Sequence, residues 1–327
     1  MKKFFTSKYH ILLDLIISII IIAGLLYFAG VQEFLGYIAS ISIGWLILSV
    51  VFLLIMYLLM VLRIKILLDD MKAPLGFWKI FRAHLTGMLL ADFTPARSGY
   101  IAAAAVMRNK YKIPSEKAMV SILGPQMFDF MLKLAAGAFA VFYLLSAVVE
   151  GDTGWVLYIG VAGLAMVLTI LILLLFSRRF LNMFSFCKSL PVVGDFAGRI
   201  YGMFHRMQDN SHSIIRKTPQ IVAILLFTWT FKALSWWAVA KSVGITVEFP
   251  VSDIFFFFLF QPLVTMLEFI PTPTLAGMGL SETGGVLAMG VMGIGAAQAT
   301  AFMLVARFKT IIVNLPGYRY ALQSLKP

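Results

Sequence analysis

Apolar residues in this chain come in long runs rather than in strand-like alternation. Crossing about 30 Å of hydrocarbon takes roughly 20 apolar residues in a helix. Six stretches approach or exceed that length: 11–28, 43–62, 118–149, 154–176, 220–240 and 296–313. Two further regions are apolar but broken. Residues 77–93 run into Thr94-Pro95-Ala96-Arg97-Ser98-Gly99 and resume over 100–107. Residues 254–270 run into Pro271-Thr272-Pro273-Thr274-Leu275-Ala276-Gly277-Met278-Gly279 and resume over 280–291. Proline removes an amide donor and biases its predecessor away from helix, and glycine permits tight turns. Each broken region therefore reads as two short helical arms meeting at an irregular turn. Backbone of that kind is tolerated at membrane depth only inside protein or beside a wet cavity. The fold expected is an all-α polytopic membrane protein, with six full spans and two re-entrant helical hairpins. Two ordinary helices joined by a surface loop is the plainer alternative for each hairpin.

Composition supports a bilayer address. Of 327 residues, 61% are hydrophobic and 13% charged, with a mean hydropathy of +0.93. A soluble domain carries about 25% charged residues, so a cytosolic enzyme, a disulfide scaffold and a disordered regulator are excluded. Cys187 is the single cysteine, and the four histidines have no metal-ligand spacing. No metal or cofactor is expected. The first apolar run is too long for a usual signal-peptide core and lacks a clear cleavage site, so it reads as a retained span. The net charge of +12 is distributed among aliphatic runs, which points to membrane topology and not to nucleic acid. With the N-terminus inside, every basic residue except Lys133, Lys232 and Lys241 falls in segments 1–10, 63–82, 97–117, 178–217 and 307–327. Both termini are then cytoplasmic in a multi-pass cell-membrane protein. Within 178–217, Phe196, Ile200, Met203, Phe204 and Met207 recur at helical spacing among basic residues. That segment reads as a cytoplasmic amphipathic helix attracted to anionic inner-leaflet lipids.

Asp92-Phe93-Thr94-Pro95 recurs as Glu268-Phe269-Ile270-Pro271, 176 residues later. The spans before and after each copy follow a similar offset. The chain thus divides into halves 43–149 and 220–315 within one membrane domain spanning 1–327. Under the orientation above, the hairpins enter from opposite faces, as an inverted-topology repeat. Interrupted segments at matching places in two halves point to a transporter's central site. Chance similarity between apolar helices is the competing account.

The turns hold the candidate chemistry. Arg97 at membrane depth either binds a phosphodiester through its planar fork or snorkels to the interface. The second arms begin near Ser98 and Ser281, and their helix N-termini would favour an anion at the same place. Gly277 and Gly279 allow close backbone approach, either to the opposite hairpin or to a headgroup. Asp92, Glu268 and Glu282 would pair with Arg97, bind a coupling cation, take a proton, or simply lock the hairpins. Asp129 and Lys133 lie four apart on one helix face and can neutralise each other, or Asp129 meets substrate. Arg307 and Lys309 sit near a helix end, where snorkelling explains them.

Pro95-x-Arg97-x-Gly99, Asp129, Gly277-x-Gly279-x-x-Glu282 and Arg307 together resemble the lysylphosphatidylglycerol synthase transmembrane family. Tyr100 stands where that family commonly has Glu, and Gly124-Pro125-Gln126 where basic residues often precede the aspartate. The resemblance implies lipid translocation without a coupled synthase domain, with a membrane lipid as substrate and no protein partner specified. An anionic or polyprenyl-phosphate-linked lipid is the expected cargo. A membrane transferase acting on such lipids and an ion-coupled carrier of a small solute are the competing functions.

Overall fold

The computed structural model describes residues 8–146, 177–183, 211–247, 252–268 and 274–325, with isolated positions between 162 and 205. Its helices are α1 (Lys8–Ala29), α2 (Val31–Ala39), α3 (Ile43–Asp70), α4 (Phe77–Asp92), α5 (Ala102–Tyr111), α6 (Ser115–Ser146), α7 (Arg178–Met183), α8 (Ser211–Ser242), α9 (Asp253–Leu267), α10 (Leu280–Val291), α11 (Ala296–Asn314) and α12 (Tyr318–Leu325). Among the described residues there is no strand. Four stretches are long and apolar enough to cross a membrane: Leu12–Ala29, Ile43–Asp70, Arg216–Ser242 and Ala296–Ala321. Helix α6 has the length, with Asp129 and Lys133 near its middle. Most of the expected span 154–176 and of the amphipathic segment 178–217 lies outside the described residues.

Both broken regions are broken in the structure. Helix α4 stops at Asp92, a 3-10 turn covers Pro95–Ile101, and α5 follows. Helix α9 stops at Leu267, a shorter 3-10 turn covers Leu275–Gly277, and α10 follows. Each pair of arms has its own apolar core. Ile80, Met107, Leu67, Ile122 and Ile221 pack around the first pair. Phe256, Phe260, Met289 and Phe302 pack around the second. Within the run 255–258, Phe256 and Phe257 are buried while Phe255 is exposed, so the run packs against protein on one side only.

Helices α3 and α8 form the most extensive helix pair among the described residues. Ser42, at the start of α3, donates its N–H to the Ser242 carbonyl at the end of α8 (2.9 Å). Arg216, near the start of α8, pairs with Asp70 at the end of α3. The two helices are therefore antiparallel. Helix α1 lies at the periphery, with Tyr27 and Phe28 exposed. It reaches the second turn through Ser18, whose hydroxyl accepts the Leu275 N–H at 3.0 Å.

Candidate functional site

The first turn is built by side chain and backbone together. Thr94 donates its hydroxyl to the Leu90 carbonyl (2.8 Å) and accepts the Gly99 N–H (2.6 Å). A Cβ on Gly99 would overlap the Leu90 carbonyl, so only glycine lets the chain return across the end of α4. Arg97 sits in left-handed backbone at φ 53°, which costs an L-residue roughly 1–2 kcal/mol. At the second turn Ala276 is also left-handed, at φ 48°. Gly279 has φ 92° and faces Ile21 of α1. Its N–H donates to Glu282 at 2.6 Å, so the carboxylate caps its own helix.

Arg97 joins the two turns. One guanidinium nitrogen pairs with Glu268 and the other with Asp92 Oδ1 at 3.1 Å. Asn314 of α11 donates to Asp92 Oδ2 (2.6 Å), and Tyr57 of α3 donates to Asn314 (2.8 Å). On the other side Arg307 donates to Glu282 (2.7 Å) and to the Ser281 hydroxyl (2.7 Å), and lies 3.8 Å from Glu268. A second cluster stands apart on α6 and α8. There Lys133 pairs with Asp129 at 2.6 Å, and Trp229 donates its indole N–H to the same carboxylate at 3.0 Å.

Both clusters border one cavity of about 320 Å³. Four carboxylates (Asp92, Asp129, Glu268, Glu282) and four bases (Arg97, Lys133, Lys232, Arg307) line it, together with Trp229, Trp236 and several methionines. Ser98 lines it as well. Gly99, Gly277, Gly279 and Ser281 do not reach its wall; they shape the turns, and the Ser281 hydroxyl donates to the Gly277 carbonyl at 3.1 Å. The helix N-terminus at Gly279 is occupied by Glu282 and the Gly99 N–H by Thr94. Both of these amides are taken within the protein. Among the described residues no group of His, Cys, Asp and Glu could hold a metal ion.

Arg307 and Lys309 are 7% and 6% exposed, which corrects the snorkelling expectation for both. Arg307 turns inward because Glu282 and Ser281 are there to receive it. Lys309 donates to the Ser235 hydroxyl at 2.6 Å. Arg97 likewise pairs inward and does not snorkel. Contributors to the site that were not singled out in the sequence include Tyr57, Trp229, Asn314 and Lys232. Tyr57 and Asn314 look ordinary at their helix positions. Lys232 carried a signal, being a lone lysine within an apolar span and away from the inner loops.

The geometry is that of a charged pocket where two helix breaks meet, with no nucleophile–base pair among the described residues that line it. No curated protein matches the chain. A family model described as the lysylphosphatidylglycerol synthase TM region matches residues 15–317, and the chain belongs to that family of membrane proteins.

Proposed function

We propose that the protein moves a phosphate-bearing lipid, either a phospholipid or a polyprenyl-phosphate-linked lipid, between leaflets as a flippase or scramblase. The central cavity is exposed to each side of the membrane in turn. The observation that carries this reading is the set of ionic side chains from both turns around one 320 Å³ space. Arg307 is eleven residues into α11, about 16 Å at 1.5 Å per residue, and so near the middle of a ~30 Å hydrocarbon core. Ligand pockets run about 300–1,000 Å³, so this one suits a headgroup while acyl chains remain in hydrocarbon. In this reading the two pairs of arms are re-entrant hairpins of an inverted repeat, and 118–149 and 154–176 complete six spans. The antiparallel course of α3 and α8, which precede the two breaks, supports the inversion. Both termini then face the cytoplasm.

The test is lipid movement in proteoliposomes carrying a fluorescent phospholipid, with an impermeant reductant added outside. Protein-free vesicles lose about half their fluorescence, and vesicles holding a translocase lose more as inner-leaflet lipid arrives. A plateau equal to that of protein-free vesicles overturns the reading. So does recovery of lipid with altered mass after incubation with group donors, which marks a transferase.

A further inference from the structure

Every carboxylate that lines the cavity already has a basic partner. Asp92 and Glu268 share Arg97, Glu282 holds Arg307, and Asp129 holds Lys133. The fourth base, Lys232, makes no hydrogen bond or ion pair among the described residues, yet its side chain lines the same cavity. It lies on the face of α8 that also presents Trp229 and Trp236 to the cavity, at i−3 and i+4. The charges acting on it are those of Lys133, Asp129, Glu268 and Arg97.

Its depth makes the missing partner costly. Lys232 is ten residues from the end of α8 at Ser242, about 15 Å along the axis, or half of a ~30 Å core. A lysine stem does not snorkel that far. A lysine at the centre of a span costs about 2.5–3.5 kcal/mol on insertion scales, and such residues normally pair or line a wet path. Arg97 and Arg307, by contrast, have their donors directed at protein carboxylates. An entering anion would have to displace those carboxylates to reach them, whereas Lys232 lines the cavity with no carboxylate partner among the described residues.

We propose that Lys232 is the docking cation of the cavity, receiving a phosphate oxyanion, while Arg97 and Arg307 hold the two turns together. This rests on the translocation reading and makes it specific: the cargo is held by the phosphate of its headgroup. An ammonium is a compact point charge with three rotatable donors, which suits a phosphodiester whose other substituent varies. Trp229 and Trp236, which line the same cavity, offer apolar surface for the glycerol carbons beside such a phosphate.

The experiment compares wild type, Lys232→Met and Lys232→Arg in proteoliposomes with three probes: fluorescent phosphatidylglycerol, a fluorescent glucosylceramide that lacks phosphate, and radiolabelled inorganic phosphate. Expected is at least a tenfold slower movement of phosphatidylglycerol in Lys232→Met, with Lys232→Arg within about threefold of wild type. Glucosylceramide is expected to be unaffected by either change. Because Lys232→Met removes a charge that has no partner among the described residues from an apolar helix, its melting temperature should equal or exceed that of wild type. Phosphatidylglycerol movement at the wild-type rate in Lys232→Met overturns the docking role and leaves translocation standing. A Lys232→Met protein that is both slower and less stable makes the lysine a structural group, and also overturns it. If wild type moves no lipid, the translocation reading falls. Phosphate uptake that disappears in Lys232→Met then keeps the docking cation with a free anion as its ligand, and absence of uptake removes both.

Discussion

Arg97 occupies a backbone conformation that arginine seldom adopts and divides its guanidinium between carboxylates 5 and 171 residues away. Removing one partner of a buried ion pair costs about 3–5 kcal/mol, because the other charge is left without compensation. Arg97→Gln is therefore expected to lower the melting temperature sharply. Combining it with Glu268→Gln should recover part of the loss, since that change removes one of the stranded charges. Thermal unfolding of the two single variants and the double variant in detergent reads the coupling, expected at about 0.5–3 kcal/mol. Additive losses would show that the pair contributes nothing as a pair. Ala276, fully buried at φ 48°, makes a second case. A β-branched side chain is an outlier there and has no room, so Ala276→Val should cost more than about 3 kcal/mol. Ala276→Gly should stay within about 1 kcal/mol of wild type, because relief of strain offsets the lost methyl group and the freer unfolded chain. At this scale the sequence shows which residues are expensive to bury and hides their partners. Asp92, Arg97, Glu268 and Glu282 stand out as charges beside Pro- and Gly-rich turns. That Arg97 reaches Glu268, or that Tyr57 meets Asp92 through Asn314, depends on packing between elements distant in the chain. The snorkelling expectation for Arg307 misses for the same reason: a carboxylate inside the fold offers a better partner than the interface does.

Helices and their interruptions were legible because their causes are local. Residues 77–93 and 254–270 anticipate α4 and α9 within three residues at either end, since proline and glycine act on the backbone next to them. Length was less legible. Helix α3 continues to Asp70, beyond the apolar run 43–62, because Arg63 is buried and because Lys65 pairs with Asp69 one turn on at 2.8 Å. Which helices lie side by side was not legible, because packing joins elements distant in the chain. The α3–α8 pairing offers a direct check at this scale. With Cys187 replaced by serine, cysteines at Ser42 and Ser242 are expected to become linked by a short bifunctional maleimide. The same reagent should not join Ser42 to Arg216, which lies at the opposite end of α8. Linkage in the second pair and not the first would reverse the antiparallel arrangement.

For the whole molecule, the asymmetry of basic residues and the proposed inversion of the two breaks predict a specific exposure pattern. Lys112 lies between α5 and α6, and Gly293 between α10 and α11. If the arms re-enter from opposite faces, these corresponding junctions lie on opposite sides of the membrane. In intact cells an impermeant maleimide should label Gly293→Cys and should reach Lys112→Cys only after permeabilisation. Equal labelling of the two before permeabilisation would overturn the placement of the two junctions on opposite sides. Membership of the lysylphosphatidylglycerol synthase transmembrane family accords with the motifs at the two turns, because those motifs are the residues that shape the turns and balance their charges. The cavity itself is a property of the assembled chain. Its walls come from α3, α4, α6, α8, α9, α10 and α11 and the first turn, and no single stretch of sequence outlines it.

The grip of Arg97 on one carboxylate from each side of the first and second turns has a kinematic consequence. Pulling the turns apart strands a charge in the protein interior, and a barrier raised by about 3–5 kcal/mol slows such a step by about two to three and a half orders of magnitude. In the proposed translocation, fast cycling therefore favours a displacement in which the two turns travel as one block against α3 and α8. Spin labels placed on the two turns would keep a fixed separation through such a cycle, while distances from either turn to α3 would alternate between two values.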